Sequence, residues 1–115
     1  MFLRPYTGRK LSSFNVSSNH IGNSGVHALV EAMRGGGLPD LNVLRLTECG
    51  LDHEGISHLT AAMKDGYFKR LTHLHLSHNT LGEQGLELLG EGLGAGQCMQ
   101  LSTLGLDDVR LNEWV

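Results

Sequence analysis

The chain has 115 residues, and 12 acidic against 9 basic side chains give it a formal charge of −3. That length holds one domain with a real hydrophobic core. The basic residues are scattered, so none of them form the row that neutralises a phosphate backbone, which argues against nucleic acid as a partner. The opening residues lack the apolar run of a signal peptide, and nothing approaches the roughly 18 apolar residues of a membrane span. Cys49 and Cys98, the two cysteines, form neither a C-x-x-C pair nor a disulfide framework. Both are expected as free thiols in the reducing cytoplasm or nucleus.

In chain order, Phe2, Leu3 and Arg4 align with Ala32, Met33 and Arg34, so residues 1–10 read as the end of a preceding helical unit. A strand follows, with Phe14 and Val16 alternating with polar neighbours. A helix comes next, with Val26, Leu29, Val30 and Met33 at helical spacing, ended by Gly35, Gly36 and Gly37. The same order then recurs. Leu44 and Leu46 mark a second strand, Ile56, Leu59 and Met63 a second helix, and Asp65 and Gly66 its end. Leu74 and Leu76 mark a third strand, Leu86, Leu89 and Leu93 a third helix, and residues 94–96 its end. Leu104 and Leu106 mark a fourth strand. Gly25, Gly55 and Gly85 lie close to the helix starts, and Leu38, Phe68 and Cys98 fill the return loops. Ala32, Ala62 and Gly92 are expected to let each helix sit close to the strands.

Segments 11–21, 41–51, 71–81 and 101–111 therefore align without a gap, starting at 11, 41, 71 and 101. Their common pattern, L-x-x-L-x-L-x-x-N/C-x-L, resembles the leucine-rich repeat. Asn19, Cys49 and Asn79 at its ninth position are similar to those of the ribonuclease-inhibitor-like subclass. The resemblance implies an α/β solenoid of right-handed β-α units, with a curved parallel sheet on the concave face and helices on the convex face. Residues 1–115 form one such domain, with 112–115 a truncated tail. Asn19 and Asn79 are expected to bind backbone in the loop after each strand, with Cys49 as the thiol variant, whereas Val109 has no such donor. No polar capping unit is visible at either end, so a slice of a longer array is expected, dimerising through exposed ends or packing on a partner.

Stacked strands about 5 Å apart turn equivalent positions into columns. Third positions are Ser13, Val43, His73 and Thr103, and fifth positions are Asn15, Arg45, His75 and Gly105. Seventh positions are Ser17, Thr47, Ser77 and Asp107, and eighth positions are Ser18, Glu48, His78 and Asp108. This polar face supplies the expected partner contacts: Arg45, Glu48, His73, His75, His78, Asp107 and Asp108. The three histidines with the flanking acids suggest zinc as an alternative, but a polar concave surface explains them more simply. With His78 between Glu48 and Asp108, the acids would favour its charged form.

Gly90, Gly92, Gly94 and Gly96 imitate a phosphate-binding loop, yet no Gly-Lys-Ser/Thr follows and the register is helical. A weakened third helix is expected instead. His20, His27, His53 and His58 read as solvated surface residues, and Leu88 as a lone apolar residue on an outward helical face. Trp114 is expected to fold back over the core or anchor a contact. Neither cysteine has the setting of a nucleophile, and no Gly-x-Ser-x-Gly elbow occurs, so no catalysis and no cofactor are expected. The function implied by the resemblance is a protein-interaction scaffold. Two alternatives remain, a small-GTPase regulator resembling the Ran GTPase-activating protein and a metal-dependent site on the histidine strand.

Overall fold

Alternating apolar residues in short runs make strands that bury one face, and the switch to helical spacing makes the element that covers it. The computed structural model describes residues 12–110. In order it contains β1 (Ser13–Asn15), α1 (Gly22–Arg34), β2 (Val43–Arg45), α2 (His53–Lys64), β3 (His73–His75), α3 (Gly82–Gly94) and β4 (Thr103–Gly105). The strands form one parallel sheet in the order β1-β2-β3-β4. Ser13 pairs in turn with Val43, His73 and Thr103, and Asn15 with Arg45, His75 and Gly105, which is the column register read from the sequence.

The core is a continuous seam between sheet and helices. Leu44, Leu46, Leu74 and Leu76 meet Val26, Ile56, Leu59 and Met63, all at 0% exposure. Leu38 and Phe68 close it at the return loops, where Cys98 is only half-buried. Each helix is entered differently. Asp52 caps α2 by accepting the Glu54 N–H at 2.8 Å, whereas Ile21 and Leu81 precede α1 and α3 without a side-chain cap. At the exits, α1 and α2 end alike. Gly36 N–H reaches Met33 O and Gly37 N–H reaches Ala32 O, as Gly66 reaches Met63 O and Tyr67 reaches Ala62 O. This paired bonding needs a left-handed residue, and Gly36 (φ 96°) and Gly66 (φ 83°) provide it.

Two expectations change in detail. The small residue Gly92 serves helix against helix, not helix against strand: an added Cβ would stand 2.7 Å from Met63 Sδ and 3.3 Å from Thr60 Cα, both on α2. The same approach lets buried Thr60 donate its hydroxyl to Leu88 O at 2.8 Å. Leu88 consequently lies half-buried against the core and is not an outward residue.

The expected helix end before residue 11, the tail at 112–115, Tyr6, Trp114 and the uncapped ends all fall outside the described residues.

Candidate functional site

The face of the sheet opposite the helices is the candidate site, because strand alternation sends the third and fifth positions there. Leu44 and Leu74 point inward and are fully buried, whereas Arg45 is exposed and His73 and His75 are half-buried. Arg45 forms no ion pair among the described residues. His73 Nδ1 lies 2.8 Å from Thr72 Oγ1, and its ring stacks beside that of His75 with centroids 6.3 Å apart. Gly105 makes room for His75, since an added Cβ would stand 3.1 Å from His75 Nδ1 and 3.4 Å from Ser77 Oγ. His75 Nε2 is buried with no hydrogen-bond partner among the described residues. Burial, then the charge of Arg45 and the neighbouring His73, hold the His75 imidazole below its usual value, so its neutral form is favoured.

Above this strip the chain turns, and the turn carries a feature with no sequence signature. All four eighth-position residues adopt left-handed backbone: Ser18 (φ 63°), Glu48 (φ 54°), His78 (φ 60°) and Asp108 (φ 50°). Cross-repeat bonds tie the first three to the next repeat, with Ser18 N–H donating to Thr47 O, Glu48 N–H to Ser77 O, and His78 N–H to Asp107 O, each at 2.8–2.9 Å. Seventh-position hydroxyls extend the ladder: Ser17 Oγ accepts from Thr47 N–H and Ser77 Oγ from Asp107 N–H. The result is an acidic rim of exposed Glu48, Asp107 and Asp108 along the strand ends. His78 Nδ1 lies 3.3 Å from Asp108 Oδ2, and Glu48 pairs with no cation among the described residues. His78 thus leans on one acid and is not clasped between two.

The ninth position sits directly beneath. Asn79, 2% exposed, donates to Leu46 O (2.8 Å), Leu76 O (2.9 Å) and Ser77 O (3.3 Å), and its Oδ1 accepts from Cys49 N–H (2.9 Å) and Leu51 N–H (3.1 Å). It binds its own loop, as expected, and also bolts the preceding repeat. Among the described residues, the Asn19 side chain reaches its own loop, at Val16 O and Ser17 O. The Cys49 thiol donates to Val16 O at 3.3 Å and Thr47 O at 3.6 Å, and burial pushes its pKa up.

Among the described residues no three His, Cys, Asp or Glu side chains are placed to hold a metal ion. His73 and His75 share the strip, but His78 turns away to Asp108, so the geometry lends the zinc alternative no support. On the helical side, the His27 and His58 rings meet at a tilt of 34° with centroids 4.7 Å apart, and His27 Nε2 lies 3.5 Å from Glu31 Oε1. A cleft of ≈ 210 Å³ between the return loops after α1 and α2 is lined by Met33, Leu38, Pro39, Tyr67 and glycine backbone. Neither feature has a signature in the residue spacing.

Four parallel strands in register, alternating with three helices over an asparagine bolt, are an α/β repeat arrangement consistent with a leucine-rich-repeat solenoid. A family model described as Leucine Rich repeat matches residues 9–30 and 70–90, supporting a leucine-rich repeat protein. Those two stretches contain Asn19 and Asn79, the repeats with asparagine at the ninth position. No curated protein matches the chain. No described helix is long and apolar enough to cross a membrane.

Proposed function

We propose that the chain is a non-enzymatic scaffold that binds a partner protein on the open face of its sheet, through Arg45, Glu48, His73, His75, His78, Asp107 and Asp108. The observation that carries this reading is unpaired charge gathered on one strand-borne face. On the helices and return loops, Arg34 pairs with Asp65 at 2.9 Å, Lys64 with Glu91 at 3.0 Å and Arg70 with Asp40 at 3.5 Å, while Glu54, Lys69, Glu83 and Glu87 form no ion pair among the described residues. On the open face, Arg45, Glu48 and Asp107 have no such partner among the described residues. Unpaired charge on a rigid, strand-borne surface is available to a second molecule and gives it orientation and specificity.

Two narrower readings accompany this one. The thirty-residue period, the Asn/Cys position and helices of 12 and 13 residues support a ribonuclease-inhibitor-like subclass. The donating thiol of Cys49 requires reduced cysteine, which supports a place inside the cell. The test compares proteins cross-linked to the wild-type chain with those cross-linked to Arg45→Glu and to Glu87→Lys, a variant on the exposed side of α3. Loss of a specific partner with Arg45→Glu and its retention with Glu87→Lys is the expected result. The opposite pattern would move the binding surface to the helices.

A further inference from the structure

The open face carries opposite charges in separate places. Arg45 lies in the strip on β2, with His75 beside it on β3 and His73 two residues earlier on that strand. Glu48, Asp107 and Asp108 form the rim, where Glu48 N–H bonds to Ser77 O and Asp107 bonds to Ser77 Oγ and His78 N–H in the cross-repeat ladder. No ion pair joins Arg45 to Glu48, Asp107 or Asp108 among the described residues. Arg45 and the rim therefore do not cancel, and a molecule lying along the strands meets both.

The geometry points to a two-signed partner segment: a carboxylate seated over Arg45 and basic side chains over the rim of Glu48, Asp107 and Asp108. This deepens the scaffold reading and rests on it. A wholly acidic segment would meet three rim carboxylates, and a wholly basic one would meet Arg45; like charges in apposition are unfavourable in both cases.

The test uses three short peptides of equal length as probes: paired glutamates joined to paired lysines by a Gly/Ser spacer, all-glutamate, and all-lysine. Amide shifts of the full chain are followed by NMR during titration. The expected result is shifts on residues 45–48, 73–78 and 105–108, with the two-signed peptide binding tightest, by about two- to fivefold for each charge matched. Arg45→Gln should remove the advantage over all-lysine. Glu48→Gly, which suits the backbone at φ 54°, should narrow the advantage over all-glutamate. Shifts on the open face with a one-signed peptide binding best would overturn this inference and leave the scaffold reading standing. Shifts confined to the helices, or none with any peptide, would overturn both.

Discussion

Replacing Asn79 by cysteine, the residue that holds the same place one repeat earlier, separates the two jobs of the ninth position. A thiol still donates to the loop carbonyls, as Cys49 does to Val16 and Thr47, but it is a poor acceptor. The Cys49 and Leu51 N–H groups, now held by Asn79 Oδ1 at 2.9 and 3.1 Å, would be stranded in the core. Each buried unsatisfied donor costs about 1–3 kcal/mol, so Asn79→Cys should cost about 4 kcal/mol, a large share of the ~5–15 kcal/mol that stabilises a domain. Cys49→Ala strands no N–H in this way, because Asn19 N–H already reaches Val16 O and Ile21 N–H reaches Asn19 O. It should cost about 1 kcal/mol, from one weak thiol bond and a small void. Urea unfolding followed by circular dichroism reads the difference: with an m of about 2 kcal/mol/M, the midpoint should fall by ~2 M for Asn79→Cys and ~0.5 M for Cys49→Ala. A smaller shift for Asn79→Cys than for Cys49→Ala would refute the claim that the asparagine acts by bolting adjacent repeats.

Further outcomes follow from the backbone and the histidine strip. Gly90 is exposed with nothing within reach of an added Cβ, so Gly90→Ala should stabilise α3 by about 1 kcal/mol, whereas Gly92→Ala should gain nothing or lose ~1 kcal/mol or more against Met63 and Thr60; thermal melts of the pair check this. Glu48→Gly should raise the melting temperature, since a left-handed non-glycine residue costs about 1–2 kcal/mol. A lower melting temperature would show that the Glu48 side chain itself holds the turn. Because the folded His75 titrates below its unfolded value of about 6.5, the unfolded chain takes up a proton there first. That contribution is intact above pH ~6.5 and is lost as the pH falls through the folded value. His75→Gln should flatten this acid-side decline in urea midpoints measured from pH 7.5 down to about pH 5.

The repeat order, the strand register and the apolar seam were legible because each depends on residue spacing: Leu44 beside Leu74, and Val43 beside His73, follow from a constant thirty-residue offset. The same offset put His75 beside Arg45 in the sheet, while Glu48, His78, Asp107 and Asp108 lie on the turns above it. What stayed hidden depends on backbone conformation and on polar atoms meeting across repeats. The left-handed residues Ser18, Glu48, His78 and Asp108 share no side-chain type; in the first three the N–H bonds to the next repeat. The role of Gly105 depends on where the His75 ring falls, and the Thr60 bond to Leu88 depends on how closely two helices approach. His78 was expected between two acids because column order gives adjacency; side-chain direction chose Asp108.

The cysteine at position 49 also makes the coil unequal along its length. Between the second and third repeats, Asn79, the Thr60 hydroxyl and the Lys64–Glu91 pair all cross the boundary. Between the first and second, the ninth position contributes one thiol bond across, and the Asn23–Asp52 bonds and the Arg34–Asp65 and Arg70–Asp40 pairs lie nearer the surface, where ion pairs add little. Under heat or mechanical tension the coil should therefore part first at that seam, shedding β1 and α1 while Arg45, His75 and the acidic rim stay mounted on a single rigid block.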